Sequence, residues 1–285
     1  MFIPKPRKEP SNANSYRPLT LLSYLGKIYE RTLNRLLTNH YNTQPLKNAQ
    51  FGFCKGIGTE EAPYSAIAKN QRSKANHKLT VTILLDIKGA FDHAEWPIIL
   101  TNLAKAGLPH FLLKNIENYF TERTIDYNGY PKITLERGCP QGSVLGPTLW
   151  NLMFDKVIDR LQGVYPNICV YADDTLIILG SNTTQGLENM VTCCIENTEA
   201  VLLEFGLLLN VNKTEILISK SARNIGAPTF HLHNGNTITS KEKIKYLGII
   251  LDSRLTFSLQ VLAKEVHRQA PTPPTSNAEP AWVRP

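Results

Sequence analysis

Two short apolar runs, Ile168–Tyr171 and Thr175–Leu179, are separated only by Ala172-Asp173-Asp174. So short a gap leaves room for a tight turn and nothing else, which predicts a hairpin. Two adjacent acids at that junction serve no packing purpose. A third apolar run, Leu79–Ile87 (LTVTILLDI), is rich in β-branched residues and predicts a central strand with Asp86 near its C-terminal end.

The elements around these runs are predominantly helical. Pro18 precedes a run in which Leu22, Leu25, Ile28, Tyr29, Leu33, Leu36 and Leu37 recur at helical spacing, and it suits a helix N-terminus. Gln50–Thr59 is a glycine-bearing loop, followed by a helix through Ala62–Arg72. Helices are expected over Pro97–Lys105 and Pro109–Phe120, parted by Gly107, and over Pro147–Leu161 and Gly186–Phe205. Asn128-Gly129 signals a hairpin within 123–135, and further strands fall near Glu215–Ser219 and Tyr246–Leu251. Met1–Ser15 is an extended lead-in, and the Pro-rich stretch beyond Val266 is too polar to pack. The order of strands and helices argues α+β, an antiparallel sheet backed by helices.

Composition narrows the function classes. A chain of 285 residues with 42% hydrophobic and 19% charged residues suits a soluble globular protein of one large domain or two packed ones. The net charge of +7 is concentrated: Met1–Thr59 carries nine basic residues against two acidic ones, and the remaining 22 and 22 cancel. Such a lobe is either a footprint for phosphate contacts or a solvated lysine-rich surface. Five cysteines, an odd number without a CxxC pair, argue against a disulfide framework or zinc knuckle and for a reducing, intracellular setting, nucleus or cytoplasm. No apolar run approaches the roughly 18–20 residues of a membrane span.

Asp86, Asp173 and Asp174 are the chemistry-bearing residues. Clustered carboxylates repel, and burying them is costly unless a cation compensates. Oxygen ligands without His or Cys select Mg²⁺ or Mn²⁺. Two such ions about 3.5–4 Å apart can activate a 3′-hydroxyl and stabilise departing pyrophosphate. Taken alone, an Asp pair in a turn is ordinarily just solvated.

The surrounding words narrow the choice. Tyr171–Asp174 (YADD) resembles the catalytic hairpin of reverse transcriptases, Leu84–Asp92 (LLDIKGAFD) their first catalytic strand, and Arg137–Asp155 (RGCPQGSVLGPTLWNLMFD) their template- and nucleotide-contacting loop and helix. Ser15–Leu37 and Gln50–Ala62 (QFGFCKGIGTEEA) resemble fingers motifs, and Phe205–Ile218 and Lys245–Asp252 the last palm motifs. The wording is most similar to the jockey-like group of non-LTR (LINE-type) retrotransposons.

That resemblance implies a right-hand polymerase: fingers over 16–75, a palm over 76–262 with a fingers insertion at roughly 105–140, and a tail or thumb remnant over 263–285. It implies two Mg²⁺ or Mn²⁺ ions held by Asp86 and Asp173, with Asp174 in the same cluster and the Ile87 carbonyl as a further ligand. Phe91 takes the position of the ring that excludes a 2′-hydroxyl, though a core aromatic would look the same. Gln141 and Gly142 match the pair near the nucleotide and template, Arg17 the fingers arginine near the triphosphate, and Lys213 a candidate general acid for pyrophosphate. Lys55 falls in a template-contacting loop, and Tyr246, Leu247 and Gly248 match the primer-grip hairpin. The implied partners are an RNA template, a DNA primer or target, and dNTPs.

The chain departs from the pattern where arginines are expected near Cys54 and Ile57. No endonuclease precedes Met1, no Cys/His knuckle follows, and the thumb expected after Leu251 gives way to the Pro-rich tail, which suggests a truncated copy. Two readings follow: an RNA-directed DNA polymerase, or a catalytically silent remnant that at most binds nucleic acid through its basic lobe.

Overall fold

The computed structural model describes residues 2–4, 9, 11, 15–41, 49–125, 132–220 and 228–253. β1 (Phe2–Pro4) pairs antiparallel with β2 (Tyr16–Pro18), so part of the expected lead-in is a paired strand. Pro18 ends β2 and does not open a helix. The chain from there runs along another segment, the Thr20 N–H donating to the Gln141 carbonyl at 2.8 Å. α1 (Tyr24–Tyr41) begins only after Ser23, whose Oγ accepts from the Gly26 N–H at 3.1 Å.

α2 (Glu61–Asn76) leads into β3 (Leu79–Leu85) and a 3-10 turn, Ala90–His93. α3 (Trp96–Lys105) and α4 (His110–Phe120) follow as expected, with Pro97 at the start of one and Gly107 at positive φ between them. β4 (Thr124–Ile125) pairs with β5 (Ile133–Thr134). The Asn128-Gly129 turn expected there lies outside the described residues, as does the Pro-rich tail. Next come α5 (Gly146–Gln162), β6 (Ile168–Tyr171), β7 (Asp174–Ser181), α6 (Thr184–Glu204) and β8 (Glu215–Lys220). β9 (Thr229–His231) and β10 (Thr237–Thr239) form a hairpin that was not anticipated, although Asn234-Gly235 signals one. The single strand that apolar spacing suggests at Tyr246–Leu251 is two, β11 (Lys243–Tyr246) and β12 (Ile249–Asp252), joined as a hairpin whose turn falls at Leu247 and Gly248, where the resemblance puts one.

The central sheet is antiparallel in the order β6-β7-β3-β8. Its side chains alternate between two apolar layers with the period of two that strands impose. Val81, Ile83, Leu85, Ile177 and Ile216 join the larger core, built with α5 and α6. Cys169, Leu176, Ile178 and Leu217 face the other way and pack with Ala62 and Ala66 of α2 and with Tyr246 and Leu251 of β11 and β12. Small residues bring α2 close, and two of its polar side chains bond to β3: Asn70 donates to Thr82 at 2.6 Å, and Ser73 accepts from Thr80 at 3.1 Å.

α1 buries less apolar surface than its periodicity implies. Leu33 and Leu37 are buried, while Leu25, Ile28, Tyr29 and Leu36 are exposed. Its deepest polar residue is Glu30, 1% exposed. That carboxylate accepts from Tyr119 Oη at 2.6 Å, from Ser143 Oγ at 2.9 Å, and from the Val144 and Leu145 N–H groups at 2.6 and 3.3 Å. It therefore neutralises the positive end of α5 and ties α1 to it, with Ser143 Oγ accepting from Gly146 N–H at 2.9 Å. Each buried donor stranded by its loss costs about 1–3 kcal/mol. Glu30→Leu is therefore expected to lower stability by about 3 kcal/mol or more, and Glu30→Gln, which keeps one acceptor, by about 1 kcal/mol. Urea unfolding midpoints of the two variants check both values.

Candidate active site

The middle position of β3 decides where the acids can go. Flanked by β7 and β8 and covered on both faces, it delivers Asp86 directly after its last residue, Leu85, which pairs with Thr175 of β7. Tyr171 pairs with Asp174, so Ala172 and Asp173 form the two-residue turn of the β6–β7 hairpin. The sheet thus brings one end of β3 and one hairpin turn together, with Asp86, Asp173 and Asp174 half-buried. Burial first, then the charges of Asp173 and Asp86, push the Asp174 carboxyl up to about 6.

Two residues of the loop after α6 meet Asp86. Asn210 Nδ2 donates to Oδ2 at 2.8 Å, and Lys213 Nζ lies 3.6 Å from the same oxygen. The Asn210 N–H also donates to the Asp86 carbonyl at 2.7 Å, and the Lys88 N–H to Leu208 O at 2.8 Å. This short ladder bridges Ile87 to Leu209 without using the Ile87 carbonyl.

Phe91 sits in the 3-10 turn that follows. Its half-buried ring stacks on Trp150 at 4.8 Å and meets Phe53 edge-on at 5.9 Å. Its carbonyl accepts from the Cys139 N–H at 2.7 Å, which seats the Gln141 loop beside it. Gln141 Nε2 lies 3.4 Å from Asp92 Oδ1. Gly142 has φ +94, and a Cβ there would stand 2.9 Å from Thr20 O and 3.0 Å from Leu19 Cδ1. Conformation and space both require glycine at this point.

The remaining predicted residues are more dispersed. Arg17 contributes backbone to β2, paired with Ile3, and its side chain lies outside the described residues. Lys55 is exposed on the turn after Phe53. Leu247 and Gly248, at φ +46 and +83, form the β11–β12 turn. Tyr246 is buried against the rear layer of the sheet; burial first, then the charges of Cys169 and Asp174, raise its phenol well above the usual range. Sequence reasoning missed Asn210, and also Gln50 and Trp150, which hold the hairpin turn, and Asn151, which holds Gly52 beside it. Asn151 carried a signal, a polar residue on the buried face of α5.

The donor set fits a hard divalent cation: three carboxylates that repel one another, with no nitrogen or sulfur ligand. Among the described residues no three acidic, His or Cys side chains are already gathered at metal-holding distance. Mg²⁺ ordinarily takes one or two carboxylates and completes its shell with water and substrate phosphates, so a closed cage is not required. All five cysteines are free, and no described helix is long and apolar enough to cross a membrane.

Comparison with known proteins bears on the family and the fold. The family model described as Reverse transcriptase (RNA-dependent DNA polymerase) matches residues 3–251. The RNA-directed DNA polymerase from the mobile element jockey of Drosophila melanogaster is 33% identical over 275 residues, covering 92% of this chain and 29% of the relative. The Pol polyprotein of the type-1 retrotransposable element R1 of Bradysia coprophila is 30% identical over 250 residues, covering 87% and 24%. The chain thus spans about a quarter of the length of these relatives. Among solved structures, apo telomerase from Candida tropicalis truncated from its C-terminal domain matches with TM-score 0.54 at 12% identity, covering 80% of this chain and 43% of that one. The RNA-dependent RNA polymerase of a human picobirnavirus matches with TM-score 0.52 at 13% identity, covering 84% and 40%. The fold is the mixed α+β, right-hand polymerase fold.

A carboxyl whose pKa is higher in the folded than in the unfolded chain is stabilising while protonated and loses that contribution as pH rises through the folded value. In EDTA, the wild-type protein should therefore lose stability from about pH 4 upward, until Asp174 is fully ionised above about pH 6. Asp174→Asn should melt higher than wild type at pH 7.5, with the gap narrowing toward pH 5. Thermal melts at the two pH values check this; a gap that widens on acidification contradicts it.

Proposed function

Since the chain belongs to the reverse transcriptase (RNA-dependent DNA polymerase) family, in its jockey- and R1-like non-LTR branch, we propose that it extends a primer 3′-hydroxyl with dNTPs on an RNA template. The observation that carries the reading is the convergence of Asp86, Asp173 and Asp174 at one end of the sheet, with Lys213 beside Asp86.

Asp86 and Asp173 would hold two Mg²⁺ or Mn²⁺ ions, with Asp174 in the same charge cluster and the Ile87 carbonyl as a further oxygen. Bound there, the ions would supply a lowered pKa for the primer hydroxyl and charge stabilisation for the leaving pyrophosphate. Asn210, donating to Asp86, orients that carboxylate. Lys213 lies close enough to Asp86 to share its site and would meet the triphosphate or protonate pyrophosphate. Phe91, braced by Trp150, would stand against the sugar and exclude a 2′-hydroxyl. Gln141 and Gly142 would lie along the nucleotide and template, and Arg17 near the triphosphate. The β11–β12 turn, with Tyr246, Leu247 and Gly248, would grip the primer, and Lys55 would meet the template. In these terms the fingers comprise 16–75 and the palm 76–262. The template, the DNA primer or target and the site of action belong to the same proposal.

A second reading, nucleic-acid binding without turnover, is favoured by one feature. Lys27, Arg31 and Arg35 lie exposed along α1 with Tyr24, a stripe suited to phosphates and one base.

Primer extension on oligo(dT)-primed poly(rA) with dTTP and Mg²⁺ or Mn²⁺ separates the two. Wild type should extend, and Asp173→Asn should be slower by about 10³-fold, equivalent to about 4 kcal/mol of lost transition-state stabilisation. Its affinity for the primer–template should stay within about threefold of wild type. Folded wild-type protein that binds but does not extend supports the second reading; extension by Asp173→Asn at a rate near that of wild type removes the catalytic assignment.

A further inference from the structure

The catalytic hairpin is held from outside itself. Ala172, the first turn residue, has φ +59, a conformation that favours glycine. Both of its peptide groups are engaged by residues remote in the chain. The Ala172 N–H donates to Gln50 Oε1 at 3.2 Å, and the Ala172 carbonyl accepts from Trp150 Nε1 at 3.1 Å. Gln50 Oε1 also accepts from the Gly52 N–H at 2.9 Å, and the Gly52 carbonyl accepts from Asn151 Nδ2 at 2.8 Å. Gly52 lies so close beneath the turn that a Cβ there would overlap the Ala172 amide nitrogen. Residues 49–51 continue the sheet, with Gln50 bridged in parallel to Val170 and the Phe51 and Val170 N–H groups donating at 2.8 and 2.7 Å.

We propose that Gln50 and Trp150 are positioning residues that clamp the Ala172 peptides and thereby set where Asp173 and Asp174 present their oxygens to divalent metal. The proposal rests on the metal-binding reading of the three carboxylates given above. An alanine at positive φ relaxes once released, and the residue that moves with it is Asp173. Mg²⁺ tolerates little spread around its 2.0–2.1 Å bond lengths, so a displacement of a few tenths of an ångström shows as lost affinity.

A role confined to stability fits Gln50 poorly. Its side chain is buried, yet Nε2 has no hydrogen-bond partner among the described residues. A methionine would fill similar space and remove that orphan donor along with the acceptor. What it would not replace is the hold on Ala172. Trp150 bears a second load, since its ring stacks between Phe91 and Phe154 at 4.8 and 5.1 Å. Phenylalanine keeps an aromatic face there and deletes only the donor to the turn.

The test is Mn²⁺ binding, followed as loss of the free-ion electron paramagnetic resonance signal, for wild type, Asp173→Asn, Gln50→Met and Trp150→Phe. Gln50→Met and Trp150→Phe should each weaken Mn²⁺ binding by about 10-fold. In primer extension, kcat should fall while KM for dTTP stays within about twofold, and raised Mn²⁺ should restore part of the rate. Wild-type Mn²⁺ affinity in both variants, with affinity lost in Asp173→Asn, overturns the clamp and leaves the metal site standing. Equal binding by wild type and Asp173→Asn removes the metal site itself, and the clamp with it. Should one variant fail to fold by circular dichroism, the other decides. Failure of both overturns the proposal, which requires the clamp to act on the metal site without carrying the fold.

Discussion

Like charges held close together are the constraint around which this molecule is arranged. Burial first, and then the charges of Asp173 and Asp86, raise the cost of ionising Asp174. Left to itself, such a cluster would spread into solvent. It does not spread because its backbone is fixed on every side. β3 lies between two antiparallel neighbours and is buried on both faces. The hairpin turn is held by Gln50, Gly52 and Trp150, and the segment after Asp86 is laddered to Leu208–Asn210. The stiffness of the sheet is what makes the electrostatic strain sustainable.

A second, better compensated carboxylate organises the opposite flank. Glu30 is more deeply buried than any of the three acids, yet it meets a hydroxyl from α4, another from Ser143 and two backbone donors at the start of α5. One acid therefore joins three helices, and α5 in turn carries Trp150 and Asn151 to the hairpin. The two sites show the same group among different neighbours: donors around Glu30, and other carboxylates as well as Asn210 and Lys213 in the cluster. A carboxylate with donors at every oxygen can be buried at little electrostatic cost, whereas carboxylates beside one another cannot.

Much of this was legible in the sequence where the deciding physics is local. β3, α3, α4 and α5 follow from apolar period, Pro97, Pro147 and Gly107, and the acids stand out because no packing argument accounts for them. What was lost depends on distant partners. Pro18 looked like a helix start, but pairing with Phe2 and the Thr20–Gln141 bond hold the chain extended until Ser23. The apolar spacing in α1 overstated its buried face, since Glu30 rather than a leucine occupies the centre. The β11–β12 turn could be read only from the resemblance to a primer-grip hairpin, because Leu247 adopts positive φ without being a turn-forming residue type. Gln50 and Asn210 are ordinary polar residues until the residues they hold, 122 and 124 positions away, are seen beside them.

Those separations bear on how the protein is made. Glu30 waits for Ser143, 113 residues later, and Gln50 for Ala172, 122 residues later. At a synthesis rate of about 5–20 residues per second, the second interval lasts on the order of 6–24 s. Through that time the earlier residue of each pair has been made and its partner has not. A change in elongation speed alters the length of that interval directly.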